Sequence, residues 1–281
     1  MKKKLIKFLC FLAVFSLLFA VYSHFENTVI EVTKYTVRSE RLPDAFDGFK
    51  IVQVSDLHSA DFGNGYSGLI KKIKACQPDI IVVTGDISAT DDEKDIKSAI
   101  SFINKAVKIA PIYYVTGNHE AAFGNYVSFI GSLKEQGVTI LNDSAATVSI
   151  GNESIKILGV SDPNFDKAST PDTAMKTSLD ILSPSGEEYT VLLSHRPEFF
   201  NMYAKYNIDL VLTGHAHGGQ IRIPFIGALY APGQGVFPKY TSGRHVSDGT
   251  TMIVSRGIGP SSFPFRINNN PELVCVTLKK P

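Results

Sequence analysis

From Phe49 onwards, short apolar runs alternate with stretches in which hydrophobic residues recur every three or four positions. Ile51-Val52-Gln53-Val54, Asp79-Ile80-Ile81-Val82-Val83, Pro111-Ile112-Tyr113-Tyr114-Val115, Tyr189–Leu193 and Ile208–Leu212 read as strands. The run at 79–83 is almost entirely β-branched, as strands buried on both faces of a parallel sheet tend to be. Between these runs, Tyr66–Ala75 reads as a helix with Leu69, Ile70 and Ile73 on one face. Asp95–Ile109 has the same period in Ile96, Ile100, Ile103 and Val107, and Tyr126–Gln136 and Thr173–Leu182 follow as further helices. Weaker β-like runs lie at 138–141, 146–150 and 154–160. The Gly- and Pro-rich tail, 220–278, carries β segments at 251–254 and 273–278. The alternation predicts one α/β domain over residues 45–278. Residues 24–44 read as a stalk and a first strand, with partial alternation through Val29–Val37.

The chain begins Met1-Lys2-Lys3-Lys4-Leu5-Ile6-Lys7, then runs without charge from Phe8 to Tyr22. A spanning helix needs about 20 apolar residues, and Leu5 and Ile6, with Lys7 snorkelling, extend the run to that length. A cleaved signal peptide shares the basic start and apolar centre, but the small-residue pattern around Ala20–His24 is poor for cleavage. The preferred reading of residues 1–23 is therefore an uncleaved single-pass anchor. Its lysines would stay in the cytoplasm and the domain would face outward.

Composition adds mainly exclusions. With 281 residues, 44% hydrophobic and 20% charged, the chain has the makings of a sizeable core and is not a disordered one. A net charge of +1 argues against a broad electrostatic surface for nucleic acid. Cys10, Cys76 and Cys275 form no C-x-x-C motif and no disulfide framework.

The candidate chemistry lies where each apolar run stops. Ile51–Val54 is followed by Ser55-Asp56-Leu57-His58, and Asp79–Val83 by Thr84-Gly85-Asp86. Pro111–Val115 leads to Thr116-Gly117-Asn118-His119-Glu120, and Tyr189–Leu193 to Ser194-His195-Arg196-Pro197-Glu198. Ile208–Leu212 leads to Thr213-Gly214-His215-Ala216-His217-Gly218-Gly219-Gln220. Open α/β sheets bind ligands beyond the carboxyl ends of their strands. Five of the seven histidines fall in these segments. If the last strand stays extended, His215 and His217 point the same way and could address one centre or two adjacent ones. Mixed imidazole and carboxylate donors suit Mn, Fe, Zn or Co better than Ca.

These blocks, D-x-H, G-D, G-N-H-E, a lone His and G-H-x-H, resemble those of the calcineurin-like metallophosphoesterases, in family order. The likeness extends to a membrane-anchored bacterial branch through Ser194–Glu198, Gly214–Gln220 and Val254-Ser255-Arg256-Gly257-Ile258-Gly259. One departure is Ile87-Ser88-Ala89, where many relatives place a second charged residue after G-D. The resemblance implies a layered β-sandwich flanked by helices (αββα), with a dinuclear metal site at the carboxyl ends of the strands. It assigns Asp56, His58 and His217 to one metal, Asn118, His195 and His215 to the other, and Asp86 to both. The two ions would be divalent or trivalent transition metals. Two divalent ions, two carboxylates and a bridging hydroxide leave a net positive charge that attracts phosphate. Paired ions about 3.5–4 Å apart stabilise both oxygens of an in-line displacement.

Within that scheme His119 faces the substrate and can protonate the leaving oxygen. Glu120 orients another group, and Arg196 and Arg256 are candidate phosphate binders. The implied activity is hydrolysis of a phosphodiester or pyrophosphate bond, in a lipid- or nucleotide-linked substrate. Two alternatives stand beside it: a pyrophosphatase acting on UDP-2,3-diacylglucosamine, and a non-catalytic metal-stabilised scaffold.

Overall fold

The computed structural model describes residues 2–62, 65–184, 186–261 and 265–281. Helix α1 (Lys2–Thr28) is followed by β1 (Glu31–Arg38), β2 (Lys50–Val54), α2 (Ser67–Cys76), β3 (Ile80–Thr84), α3 (Glu93–Ala106), β4 (Ile112–Val115), α4 (Tyr126–Glu135) and β5 (Thr139–Ile140). Then come β6 (Ser144–Ile150), β7 (Glu153–Gly159), α5 (Pro171–Leu182), β8 (Thr190–Leu193), α6 (Phe200–Tyr203) and β9 (Leu210–Thr213). Two small hairpins, β10 (Arg222–Ile223) with β11 (Gly227–Ala228) and β12 (Tyr230–Ala231) with β13 (Gly235–Val236), precede β14 (Gly243–Ser247), β15 (Thr250–Val254) and β16 (Glu272–Lys279).

The strands form two six-stranded sheets, ordered β1-β16-β2-β3-β4-β5 and β14-β15-β9-β8-β7-β6. Their centres are parallel: β2, β3, β4 and β5 in the first, β7, β8, β9 and β15 in the second. Side-chain alternation explains why these strands are apolar throughout. In β3, Ile81 and Val83 face α2, α3 and α4, whereas Ile80 and Val82 face the other sheet. In β9, Val211 joins the layer with α5 and α6, whereas Leu210 and Leu212 turn inward. The result is helices, sheet, sheet, helices.

The expected stalk is a correction. Helix α1 runs on to Thr28, and β1 is an edge strand of the first sheet, paired in parallel with β16 from Glu31↔Glu272 to Arg38↔Lys279. Its alternation is legible in sequence, but a partner about 240 residues later is not. The hairpins and β14 were also not anticipated, because short Gly-rich strands carry little period.

The two sheets press tightly together where β7 ends. A Cβ on Gly159 would strike the Leu141 backbone and lie 2.7 Å from Val115 Cγ1. Gly159→Ala should therefore lower stability by about 1–3 kcal/mol. Urea unfolding of the detergent-solubilised protein measures it, and an unchanged midpoint would show that the sheets can part there without penalty.

Candidate metal centre

All five predicted segments arrive at one edge of the sandwich. Gln53 joins the sheets there, its Nε2 donating to Thr84 Oγ1 at 2.9 Å and to the Thr213 carbonyl at 2.8 Å. Beyond this bridge the chain turns sharply. Asp56, His58, Asp86, His215 and His217 all have φ between 46° and 64°, a region sparsely used by residues with a Cβ. Such conformers persist only where surrounding structure over-determines them, and they cluster at functional sites. Here the surroundings are backbone hydrogen bonds between turns: Asp56 N to the Gly85 carbonyl, His58 N to Asp86, and Gly214 N to His195.

The extended-strand argument for His215 and His217 fails in detail. Strand β9 ends at Thr213, and the two rings sit in a tight turn facing different neighbours. His215 Nδ1 lies 3.1 Å from His195 Nε2, whereas His217 Nε2 lies 3.2 Å from His58 Nε2 and 3.4 Å from Asp56 Oδ1. Gly214 makes the turn possible, since a Cβ there would strike Ser55 Oγ and the Asp56 carboxylate. On the other side, His195 Nε2 lies 3.3 Å from Asp86 Oδ2 and 3.1 Å from Asn118 Oδ1. Asp86 Oδ2 is also 3.8 Å from His58 Nε2 and 3.9 Å from His119 Nε2. Among the described residues, three groups each offer ligand atoms within 4.8 Å of one another: Asp56, His58 and His217; Asp86, His195 and His215; and His58, Asp86 and His119. His58 and Asp86 thus each belong to two of them.

The electrostatics favour a cation. Asp56 and Asp86 are buried, as are His58, His195, His215 and His217. Burial keeps His58 neutral, lowering it to about 4, and pushes His215 and His217 down as well. His58 and His217 face each other with their Nε2 atoms 3.2 Å apart beside the Asp56 carboxylate, an arrangement able to take a metal ion. Burial also raises Asp56 to about 6. At His195 burial opposes the charged ring, but the Asp86 carboxylate outweighs it and raises the ring to about 10. That proton marks where the site calls for positive charge. His195 Nδ1 donates to the Thr84 carbonyl at 2.8 Å, which leaves Nε2 as the ligand atom. The donor set fits transition-metal ions, which accept imidazole and carboxylate together.

His119 differs from the rest. Its side chain is 40% exposed and its Nδ1 donates to the Ala89 carbonyl at 2.7 Å, so Nε2 is turned to the cavity. That cavity, about 340 Å³, has His58, Asp86, Asn118, His119, His215 and His217 on its polar walls, with Pro232 and Pro260 at the rim. A larger cavity of about 540 Å³ lies beside it and shares Pro260, but its lining is mostly apolar and holds none of the buried imidazoles.

Both arginines expected to bind phosphate are engaged by carboxylates of the protein itself. Arg196 is gripped by Asp162 through Nε and Nη2 at 2.6 and 3.0 Å, and its Nη1 lies 2.9 Å from His215 Nε2. Arg256 pairs with Glu31 at 2.7 Å and Glu272 at 3.2 Å. Arg196 grips a single carboxylate bidentately, whereas Arg256 shares its Nη2 between two. Asp162 was missed, although it follows the β7 run just as the other acidic residues follow theirs. Glu120 turns out to bind backbone: its carboxylate accepts from the N–H groups of Asp86, Ile87 and Gly117 at 2.9, 2.9 and 2.7 Å.

Comparison with known proteins agrees with this geometry. The family profile described as calcineurin-like phosphoesterase matches residues 49–219. The chain belongs to that family. It is 31% identical over 261 residues to the uncharacterized metallophosphoesterase YkuE of Bacillus subtilis, covering 91% of this chain and 88% of that protein. It is 27% identical over 234 residues to phosphodiesterase YaeI of Escherichia coli, covering 82% of each. The crystal structure of TT1561 of Thermus thermophilus shares the fold with a TM-score of 0.53 at 12% identity, over 75% of this chain and 90% of that one. The protein is thus a phosphoester hydrolase of the metallophosphoesterase type, with His and Asp clusters able to hold metal.

Within this calcineurin-like site Glu120 ties the G-D turn to the G-N-H-E turn. Burial and the Asp86 charge push its carboxyl up to about 7, while the Gly117 and Asp86 N–H groups pull the other way. In Glu120→Gln an amide NH₂ must face at least one of those N–H donors. The variant should lose about 1–3 kcal/mol of stability, read by urea unfolding, and an unperturbed midpoint would remove Glu120 from this role.

Proposed function

We propose that the protein hydrolyses a phosphodiester or pyrophosphate bond at a dinuclear metal centre, outside the membrane that α1 anchors it to. The observation that carries this reading is the pairing of Asp56, His58 and His217 against Asp86, His195 and His215, with Asp86 Oδ2 near His58 and His195 alike. In this reading the first three residues would hold one ion, His195, His215 and Asn118 would hold the second, and Asp86 would be shared between them. When bound, two such ions activate a water for in-line attack on phosphorus and neutralise the charge that develops.

The chain's own groups do the rest. Asp86 is fixed by the His119 N–H, which donates to Oδ1 at 2.9 Å. The Asp56 carboxylate is fixed by the His215 N–H at 3.0 and 3.1 Å. Both carboxylates are therefore set before any ligand arrives, which is what electrostatic preorganisation requires. His119 Nε2, on the exposed wall, is the group placed to supply a proton to the leaving oxygen.

Variants separate these roles. Asp86→Ala should lose metal and turnover of bis-p-nitrophenyl phosphate together, and wild-type turnover in that variant would sink the bridging assignment. EDTA should abolish turnover and Mn²⁺ restore it. His119→Ala should retain metal yet lose about 10²–10⁴ in rate, with a larger loss on an alkyl diester than on the aryl ester, whose leaving group needs no proton. Loss of metal from His119→Ala would instead make His119 a ligand, in keeping with its closeness to His58 and Asp86.

Helix α1 is long and apolar enough to cross a membrane, and its apolar window is unburied by the rest of the chain. With Lys2, Lys3, Lys4 and Lys7 at its start, the positive-inside rule puts the domain outside. Protease added to intact, wall-stripped cells should remove the domain. Protection until lysis would place it in the cytoplasm, where the nucleotide-lipid pyrophosphatase reading applies.

A further inference from the structure

Residues 222–237 carry a group of exposed apolar side chains that neither the core nor the metal centre uses. Phe225, Ile226, Val236 and Phe237 are all more than 60% exposed, and Phe225 is fully so. Phe225 and Phe237 also hold φ of 68° and 50°, unusual for bulky residues. Isolated apolar residues on a surface need no explanation, but a contiguous set marks an interaction surface.

The connections of these hairpins identify the partner. Ile221 bridges Ile267, and Arg222 N donates to the Ile267 carbonyl at 3.0 Å. Asn268 Nδ2 donates to the Arg222 carbonyl at 3.1 Å, while the Asn268 N–H donates to Tyr22 Oη of α1 at 2.9 Å. Asn269 N donates to Glu26 of the same helix at 2.8 Å, and Phe265 meets Phe19 with ring centroids 6.4 Å apart. The second hairpin is stitched to the first through Leu229 N to the Ile221 carbonyl and Phe237 N to the Leu229 carbonyl. The exposed side chains, Phe225 and Ile226 in the first turn and Val236 and Phe237 on the returning strand of the second hairpin, therefore belong to the same region of the domain as the outer end of the apolar helix. Charge agrees: no Asp or Glu occurs from 210 to 247, where Arg222, Lys239 and Arg244 lie.

We infer that the two hairpins are a second membrane-contact surface, seating Phe225, Ile226, Val236 and Phe237 in the interface of an anionic lipid bilayer beside α1. This rests on the reading that α1 crosses a membrane. Exposed aromatic and aliphatic side chains flanked by basic ones are what such an interface accepts. The consequence reaches the metal centre, because Pro232, between β12 and β13, lines its cavity. Docking of the hairpins brings that cavity toward the lipid surface, which makes a phosphoester carried on a membrane lipid its substrate class.

The chain contains no tryptophan, so a single introduced one reports its own surroundings. Full-length Phe225→Trp, Phe15→Trp and Val127→Trp proteins would be reconstituted in phosphatidylglycerol–phosphatidylcholine vesicles with or without lipids brominated near the headgroup end of the acyl chain. Val127 is an exposed residue of α4, which packs by β5, the edge of the first sheet opposite β1. Retained turnover of bis-p-nitrophenyl phosphate would show that each variant folds. The expected result is blue-shifted emission and bromine quenching for Phe225→Trp, and neither for Val127→Trp. Quenching at Phe225 no greater than at Val127 overturns the inference, including the case of a blue shift without quenching, which means a protein partner such as a second copy. Phe15→Trp, read in parallel with lipids brominated near the methyl end of the acyl chain because a spanning α1 seats it near mid-bilayer, decides the other point separately: without quenching there, the anchor reading fails whatever Phe225 does.

Discussion

Three carboxylates, Asp56, Asp86 and Glu120, are buried together where the two sheets converge, and most of the unusual structure around them follows from that crowding. An ion taken out of water in a protein interior costs several kcal/mol unless charge and hydrogen bonds replace the solvent. Backbone supplies part of the replacement: Glu120 takes three N–H groups, Asp56 takes the His215 N–H, and Asp86 takes the His119 N–H. Those donors can point inward only if the chain turns tightly as it leaves each strand. Five residues accordingly adopt positive φ, at about 1–3 kcal/mol apiece. The parallel strands behind them, apolar on both faces, hold the turns in place. Imidazoles complete the shell: burial pushes His58, His215 and His217 toward the neutral form, while the Asp86 carboxylate raises His195 to about 10. The clustered His and Asp side chains can hold metal, whose positive charge suits buried carboxylates.

The sandwich was readable because its strands are buried on both sides and so spell out continuous apolar runs. Val82 and Val83 show this well, one facing each layer. The site was readable because the residues that close such runs are polar for a reason, and Asp56, Asp86, Asn118 and His195 all obey it. Where the rule was not applied, at the end of β7, Asp162 went unseen. Other features left no local trace. The parallel pairing of β1 with β16 depends on contacts across the whole chain. The capture of Arg196 by Asp162 and of Arg256 by Glu31 and Glu272 depends on which carboxylate folding brings nearest. The positions of His215 and His217 were anticipated, but the strand geometry offered for them was not what the backbone does.

The segment from Arg256 to Asn269 links helix α1 to the candidate metal centre, and it does so with almost no regular structure among its described residues. Its near end is pinned to the turn after β2, Ile258 N and Gly259 N donating to the Ser55 and Asp56 carbonyls. Its far end holds the other side of the site, since Asn269 Nδ2 donates to the His217 carbonyl at 2.8 Å. Between them Arg266, buried, donates to the carbonyls of Arg256, Gly257, Gly259 and Asn269. Burial lowers this guanidinium to about 10, and the nearby Asp56 charge opposes the shift. A buried cation satisfied by main-chain carbonyls resists displacement, because any movement of the loop strands donors away from water. Glu26 and Tyr22 of α1 fasten to Asn269 and Asn268 of that same segment. Helix α1 and the peptide that carries His217 are therefore fastened to one and the same short segment, Asn268 and Asn269.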